Sequence, residues 1–354
     1  DDQIFGQLGV DIIQGDGSID LDVGEYDATS DVFIVTGSVE DHAGAGTDGD
    51  DYIEGNSGRD LIFGNLGQDD IIGGNSELFS LAAAARRADD ADLLFGGAGT
   101  DASRNDAGDM SANGHARDAD MILGDNGNIF RIVGTGGSPD SVVPTFNYDN
   151  YGTEKIVVRA AELIDYTPGG FDYDAAGAAT DIGAGDEIHG ESGDDFIYGM
   201  VGSDALFGDG QDDDLIGGYD HDWISGGTGQ DGILGDDGRI FTSRNTGLSD
   251  DGQVSLKGNT SSFGNYGTEF AESLYGIFSL LNNDPDSRTS QGNILNEVIY
   301  TPGHVQQTTA NLAGDLLKSV DLTPFDSVEG ASLAAVSSAD PNDHNPLFAD
   351  DVIF

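Results

Sequence analysis

A nine-residue pattern constrains this chain more than any other feature. Glycine stands at the first and often the fourth position, aspartate at the sixth and an apolar residue at the eighth. The pattern runs without interruption five times in residues 190–234 and three times in residues 46–72, and single copies occur at 6–14 and 96–104. A unit this short cannot bury a core of its own, so the units must be stabilised by stacking on one another.

Each unit divides into a turn and a very short strand. Glycines in the first half allow the positive φ and the close backbone approach of a tight turn. The second half is a three-residue strand whose eighth position points inward, as for Ile197 and Leu206. Two units make one coil, and stacked coils make parallel sheets. The sequence therefore predicts an all-β protein, with parallel β-roll runs interrupted by β-rich insertions and little helix.

The sixth position is aspartate in every copy of the two uninterrupted runs. Stacking brings these carboxylates above one another on one edge, where like charges repel unless a cation lies between them. Carboxylates and turn carbonyls form an oxygen-only ligand set in a chain without cysteine, which suits Ca²⁺ better than Zn²⁺ or copper. A metal-free solenoid with acidic turns is the alternative. The aspartates are Asp51, Asp60, Asp69, Asp195, Asp204, Asp213, Asp222 and Asp231.

The unit resembles the repeats-in-toxin (RTX) calcium-binding nonapeptide. This resemblance implies a β-roll in which the aspartate and carbonyls of one turn, with those of the neighbouring turn, enclose each Ca²⁺. Gln211 and Asp220 depart from the pattern, because glycine is expected at their position. Further candidate metal ligands come from isolated or incomplete copies of the repeat: Asp2, Asp11, Asp92, Asp101, Asp120, Asp186 and Asp351.

The charge of the chain agrees with cation binding. There are 66 acidic and 13 basic residues, for a net charge of −53, which opposes compaction unless cations bind and makes nucleic acid an unsuitable partner. No apolar run is long enough for a membrane span, and no signal peptide is recognised. The resemblance implies type I export, and hence a bacterial protein that is extracellular or on the cell surface.

The organisation of the chain follows the repeats. Residues 150–154 match 265–269, and residues 166–169 match 300–303, which indicates an internal duplication with unequal insertions. A strand is predicted in 155–166, a short helix in 80–91, and weaker helices in 271–281 and 312–320. The predicted regions are a calcium-coil region at 1–130 (runs 1–19, 46–72 and 92–130, insertion 73–91), a β-rich excursion at 131–180, the five-copy roll at 181–241, a longer duplicated excursion at 242–349, and the start of a further coil at 350–354.

Several outward positions of the five-copy run are apolar. Tyr198, Ile216 and Leu234 occupy the ninth position, one per coil, and Phe207 and Trp223 face outward from the other sheet. Such a surface is expected to be covered, either by the insertions of the same chain or by a neighbouring subunit. The repeat histidines His189 and His221 are predicted to be solvated.

No catalytic motif is found, so the sequence predicts a protein that is not an enzyme. Two functions remain open. One is a calcium-stabilised structural or adhesive segment of a bacterial surface protein, filament or S-layer. The other is an accessory calcium module of a secreted enzyme or toxin whose active domain lies outside this chain. Both ends carry the second half of a nonapeptide, around Asp2 and Asp351, which predicts end-to-end or lateral self-association.

Overall fold

The computed structural model describes residues 1–17, 22–40, 47–79, 81–99, 111, 113–131, 156–157, 159–243, 297–300, 317–322 and 351–354. Strands dominate these residues. The first ten are β1 (Gln3–Leu8), β2 (Ile12–Gln14), β3 (Gly24–Asp27), β4 (Val32–Val35), β5 (Tyr52–Ser57), β6 (Leu61–Phe63), β7 (Asp70–Ile72), β8 (Leu93–Phe95), β9 (Met121–Leu123) and β10 (Gly127–Arg131). The others are β11 (Arg159–Leu163), β12 (Glu187–His189), β13 (Phe196–Val201), β14 (Ala205–Phe207), β15 (Asp214–Tyr219), β16 (Trp223–Ser225), β17 (Gly232–Leu234), β18 (Gly238–Ser243), β19 (Glu297–Tyr300), β20 (Leu317–Leu322) and β21 (Val352–Ile353).

Two parallel seven-stranded sheets form the two walls of one roll. The first sheet has the order β1-β5-β7-β9-β13-β15-β17, and the second has the order β2-β6-β8-β12-β14-β16-β21. Each coil supplies one strand to each sheet, so all the repeat runs stack into seven coils despite the insertions between them. The predicted fold class, a strand-rich parallel β-roll with little helix, is confirmed.

The eighth position of each unit forms the core of the roll. Because a strand of three residues turns only its middle side chain inward, each of the first six coils contributes one residue from each sheet to a single apolar column, and the last coil contributes Ile233 alone. Burial of each such side chain stabilises the fold by about 1.5–3 kcal/mol. The column consists of Ile4, Ile13, Ile53, Ile62, Ile71, Leu94, Ile122, Ile188, Ile197, Leu206, Leu215, Ile224 and Ile233.

Insertions fold back over the outer face of the first sheet. Ile129 of β10 and Ile240 of β18 pack into one cluster with Tyr198, Ile216 and Leu234, and all five side chains are buried. Of the two coverings that the sequence allows, the structure has the one made by the insertions of the same chain.

The antiparallel hairpin of β10 and β11 is seated on this sheet by charge as well as by apolar packing. Arg131 of β10 and Arg159 of β11 both form ion pairs with Asp70, and the Arg159 Nε lies 2.8 Å from the Asp70 Oδ1. Strand β11 lies within the segment 155–166 in which the sequence predicts a strand.

The outer face of the second sheet carries a column of aromatic rings. Phe63 stacks on Phe95, and His189 lies between Phe95 and Phe207 with ring centroids 5.0 and 4.2 Å away. The hairpin of β3 and β4 covers the lower part of this column with Phe33.

The described helices are short. They are a 3₁₀ turn at Ala84–Arg86, α1 at Gly114–Arg117 and α2 at Gly170–Ala178. The helix predicted in 80–91 is thus reduced to one turn. The helix predicted in 312–320 is wrong over its last part, because residues from 317 form strand β20, which pairs with β18. The segment 271–281 lies outside the described residues.

The turns keep their geometry where glycine is replaced. Gln211 has a φ of 84° and Asp220 a φ of 93°, the left-handed region that glycine occupies most easily. The two departures from the repeat therefore keep a positive φ.

Candidate metal centre

The repeat aspartates form two continuous ladders, one along each edge of the roll. On the first edge, the backbone N–H of each aspartate donates to the Oδ1 of the aspartate in the following coil, over distances of 2.6–3.1 Å. The first-edge ladder consists of Asp2, Asp51, Asp69, Asp120, Asp195, Asp213 and Asp231.

The second edge repeats the arrangement with donor-to-acceptor distances of 2.7–3.1 Å. In each bonded aspartate, one carboxylate oxygen accepts the backbone N–H of the neighbouring coil. This bond fixes the position of the side chain and leaves the second carboxylate oxygen available to another ligand. The second-edge ladder consists of Asp11, Asp60, Asp92, Asp186, Asp204, Asp222 and Asp351.

Most of the second carboxylate oxygens are buried and lack donors. Within the described residues, no hydrogen-bond donor reaches the Oδ2 of ten ladder aspartates, although a buried polar atom is normally satisfied. The ten are Asp11, Asp51, Asp60, Asp69, Asp92, Asp120, Asp186, Asp195, Asp204 and Asp222.

The first glycine of each unit forms part of the cradle around this oxygen. A Cβ added to Gly55 would lie 2.6 Å from the Asp60 Oδ2 and 2.5 Å from the carbonyl oxygen of Gly73 in the following coil. Gly190 has the same surroundings, formed by Asp195 and Gly208. Glycine is thus needed at this position because a carboxylate oxygen and a carbonyl oxygen crowd the space that a side chain would fill.

Burial dominates the electrostatics of the ladders. Desolvation raises the pKa of Asp51 to about 6 and the pKa of Asp60 and Asp204 to about 7. Desolvation, reinforced by the neighbouring carboxylates Asp69 and Asp195, raises the pKa of Asp120 well above its usual value. Such carboxyls bind protons at a higher pH than a free aspartate does, and a bound cation would favour their charged form instead.

A hard divalent cation fits these residues. The cradles of these ten aspartates each offer a carboxylate oxygen without a donor, next to a backbone carbonyl oxygen and without nitrogen or sulfur, which is the donor set that Ca²⁺ prefers. The ladder aspartates and the first-position glycine carbonyls would hold the ions. A bound ion would join the turns of successive coils, where carboxylates otherwise repel.

The structure brings together fourteen of the fifteen candidate ligands, since every one except Asp101 lies on a ladder. Asp101 lies outside the described residues. Two acidic residues near the second edge, Asp89 and Asp125, were missed by sequence reasoning because neither holds a sixth position. Asp125 does occur in the shared phrase that ends the repeat runs, which is the one sequence signal that could have drawn attention to it.

A histidine from an insertion also reaches the first edge. The Nδ1 of His115, in α1, lies 2.6 Å from the Asp194 Oδ1 and 3.7 Å from the Asp212 Oδ2, and the three ligand atoms lie within 4.8 Å of one another. The two aspartates hold the fifth position of successive coils. Nothing in the sequence spacing indicates this group, because His115 is 79 residues from Asp194.

The prediction that both repeat histidines are solvated holds for one of them. His221 is exposed. His189 is fully buried between Phe95 and Phe207, and its ring nitrogens face Asp209 and Glu187. Burial lowers the pKa of His189, but the hydrogen bonds to these two carboxylates outweigh burial and raise it.

The comparisons with known proteins agree with this geometry. The family model of the RTX calcium-binding nonapeptide repeat (four copies) matches residues 45–76, 183–215 and 207–239. No curated protein and no solved structure matches the chain significantly. Among the residues that the structure describes, no helix is both long and apolar enough to cross a membrane.

Fold and edges together define a calcium-binding parallel β-roll. The units in residues 45–76 and 183–239 are RTX calcium-binding nonapeptide repeats, a kind of unit that binds calcium, acts as a structural module and occurs in secreted bacterial proteins.

Proposed function

We propose that this chain is a calcium-stabilised structural or adhesive segment of an extracellular bacterial surface protein, filament or S-layer. The observation that carries the proposal is the continuity of the two aspartate ladders over all seven coils. With seven aspartates on each edge, the gaps between coils offer about twelve positions for Ca²⁺. A row of ions along both edges makes a roll stiff along its whole length.

The insertions support the structural interpretation. They lie as short sheets on the outer face of the roll, where Ile129, Leu163 and Ile240 contribute to one shared apolar cluster. An accessory module of an enzyme or toxin needs only a short run of repeats, whereas here seven coils stack and the described parts of their insertions pack against them. The charge of −53 suits a protein that meets calcium outside the cell, where the ion is abundant.

Electron microscopy of the native material tests the proposal. Negatively stained bacterial surface preparations are imaged in millimolar Ca²⁺ and after treatment with EGTA, with Mg²⁺ added back as the control. Filaments or lattices that contain this chain and dissolve only in the absence of Ca²⁺ are expected. If antibody labelling places the chain solely on a soluble secreted enzyme or toxin, the accessory-module function replaces the structural one.

We also propose that the chain associates with a second copy of itself through its outermost coils. Exposed apolar side chains are concentrated there: Leu8 and Ile12 in the first coil, and Val352 and Phe354 in the last. Sedimentation velocity in millimolar Ca²⁺ is expected to give oligomers whose size falls when Leu8 and Phe354 are both changed to serine. A monomer at high protein concentration in Ca²⁺ contradicts the association without affecting the calcium ladders.

A further inference from the structure

One turn of the second edge is completed by an insertion. Its first glycine is Gly73, where an added Cβ would lie 2.5 Å from the Asp92 Oδ2. The insertion that follows β7 then returns to the turn through Asp89 and Asp90, which directly precede Ala91 and the ladder residue Asp92. Asp90 stands where a regular unit has its second glycine, so charged side chains build this part of the turn.

Specific hydrogen bonds hold this turn against the roll. The Nδ2 of Asn75 donates to the carbonyl oxygen of Ala88 at 3.0 Å, and the Nδ2 of Asn126 donates to that of Arg87 at 3.1 Å. The buried guanidinium of Arg87 donates to both carboxylate oxygens of Asp165, at 2.7 and 2.8 Å. The position of the neighbouring Asp89 is thus fixed by two coils and by the insertion that contains Asp165.

The carboxylate of Asp89 is buried and poorly satisfied. Neither of its oxygens accepts a hydrogen bond of good geometry from the described residues, although the backbone N–H of its neighbour Asp90 lies close by. Asp89 faces the carboxylate of Asp125 within hydrogen-bonding range. Two carboxylates at this range repel unless they share a proton or a cation.

Asp125 is itself held in place from the protein side. Its Oδ1 accepts the N–H of Ala184 at 2.9 Å, and its Oδ2 accepts the N–H of Val201 at 2.7 Å. Each carboxylate oxygen has a second lone pair, so both remain available as ligands. The ladder aspartates Asp92 and Asp186 are close enough to add further negative charge.

We infer that Asp89 and Asp125 bind a Ca²⁺ ion that is additional to the ions of the two aspartate ladders. This inference rests on the calcium binding proposed above. The ion would join the insertion after β7 to the turn after β9, and thus attach an irregular part of the chain to the regular roll. Oxygen ligands from two carboxylates, in a site with no sulfur or imidazole, fit Ca²⁺ better than a transition metal.

A crystal structure grown in Ca²⁺ tests the inference on the unaltered protein. The expected result is an anomalous calcium peak about 2.3–2.6 Å from oxygens of both Asp89 and Asp125, in addition to peaks along the ladders. Ladder peaks with no peak between Asp89 and Asp125 would mean that the pair shares a proton, and would overturn the inference while the proposed function stands. An absence of peaks at the ladders as well would overturn the proposed function itself.

A pair of variants gives an independent measurement. Asp89→Asn is expected to raise the Ca²⁺ concentration that protects residues 73–95 from hydrogen exchange by about tenfold, and to leave residues 205–234 unchanged. Asp90→Asn, at the adjacent exposed residue, is the matched control and is expected to have no effect. Equal effects of the two variants, or none from Asp89→Asn, would contradict the inference; if Asp89→Asn does not fold, the calcium peaks alone decide.

Discussion

The five-copy run and the earlier coils reach the same structure by different routes. In the run, bonded ladder aspartates are 18 residues apart, as in Asp195 and Asp213, with a donor-to-acceptor distance of 3.1 Å. In the interrupted coils, Asp92 and Asp186 are 94 residues apart and their distance is 2.8 Å. The insertions therefore do not change the hydrogen-bond geometry of the ladder. The register between coils is set by how the coils stack, and not by the number of residues that connect them.

Magnitudes explain why the insertions are tolerated. Each doubling of a loop costs about 0.6 kcal/mol in closure entropy, so lengthening a connection from 18 to 94 residues costs about 1.4 kcal/mol. Burial of one isoleucine such as Ile188 contributes about 1.5–3 kcal/mol. Burial of one inward side chain thus offsets the closure entropy of a long insertion. Contacts between the insertion and the roll add further stability.

Withdrawal of calcium should have the largest effect on both regions. In chelator the ladder carboxylates repel, so the β-sheet circular dichroism should be lost and the chain should expand; Mg²⁺ should restore it poorly. As calcium is lowered, hydrogen exchange should reach residues 93–95 and 121–123 before residues 205–234, because insertions lengthen the connections on both sides of β8 and β9 and closing these connections costs more entropy.

Two outcomes would change this view. Circular dichroism that is identical in excess chelator and in Ca²⁺ would mean that calcium is not structural. Simultaneous exchange of residues 93–95, 121–123 and 205–234 would mean that the roll opens as one cooperative unit, and that the contacts of the insertions offset the closure entropy.

Acid should partly replace calcium in the calcium-free chain. The pKa of Asp51 is about 6 and that of Asp60 and Asp204 about 7 in the fold, against 3.8 when unfolded. Because the folded values are raised, protonation favours the fold: its contribution is lost as pH rises through 6–7 and is complete below about 3.8. Circular dichroism of the dialysed chain should therefore show more sheet at pH 4.5 than at pH 7.

High salt separates buried from exposed charge in this experiment. One molar NaCl at pH 7 screens exposed carboxylates but reaches buried ones far less, so it should restore less sheet than acid does. An equal recovery in salt would assign the effect to the overall charge of the chain. In saturating Ca²⁺ the acid effect should reverse, since protons and calcium then compete for the same oxygens.

Single ladder substitutions should have an intermediate effect. Asp213→Asn in the five-copy run and Asp69→Asn in the coil that the insertion between β7 and β8 interrupts each remove one charge from a buried ladder, so each should lower stability in Ca²⁺ by about 1.5–3 kcal/mol. Urea unfolding at fixed Ca²⁺ measures this. Asp22→Asn, at an exposed residue outside the ladders, is the control.

Similar losses for Asp213→Asn and Asp69→Asn would support the equivalence of the two regions. A much larger loss at Asp69 would show that the interrupted coils depend more strongly on each ion. A loss at Asp22 equal to the ladder values would mean that overall charge matters and that ladder geometry does not.

The smallest effect is expected where an insertion meets the roll. The hydroxyl of Tyr198 donates to the Asp237 Oδ1 at 2.6 Å, and Tyr166 donates to the same oxygen at 2.6 Å. In Tyr198→Phe, Asp237 still accepts the hydrogen bond from the Tyr166 hydroxyl, so its carboxylate is not left without a donor. The variant should therefore lower the free energy of unfolding by only about 1 kcal/mol. The matched control is Tyr26→Phe, which removes an exposed hydroxyl that donates to Asp31 and should hardly change the free energy of unfolding. If both variants lose the same free energy, burial of the Tyr198 hydroxyl under the insertion does not strengthen its hydrogen bond to Asp237.

The roll and its ladders could be predicted because they depend on a period. A fixed spacing of nine residues places each eighth side chain inside and each sixth carboxylate on an edge, even for an isolated copy such as the one that contains Asp11. The same period predicts the three-residue strands and the crowded glycines at the first position, because equivalent residues of every unit have equivalent neighbours in the adjacent coils.

Contacts between insertions and the roll could not be predicted in this way. The approach of Arg159 to Asp70, or of His115 to Asp194, depends on where a long segment returns, which no local pattern encodes. The burial of His189 did have a signal that was missed, because Phe63, Phe95 and Phe207 hold the same ninth position on the same sheet. A histidine in a column of phenylalanines stacks with its neighbours.

The ladder bonds all point one way, from the amide of each coil to the carboxylate of the next, as from Asp204 to Asp222. Each ladder aspartate therefore finds its acceptor in the segment that follows it, whereas the fifth-position bond from the Asp212 N–H to the Asp194 Oδ1 runs the other way. A chain delivered with its C-terminal end foremost would present every new ladder amide with its acceptor already in place. Delivered in the opposite sense, each ladder amide would wait one coil for its acceptor, so the two ladders have a direction of assembly although the other bonds between coils do not share it.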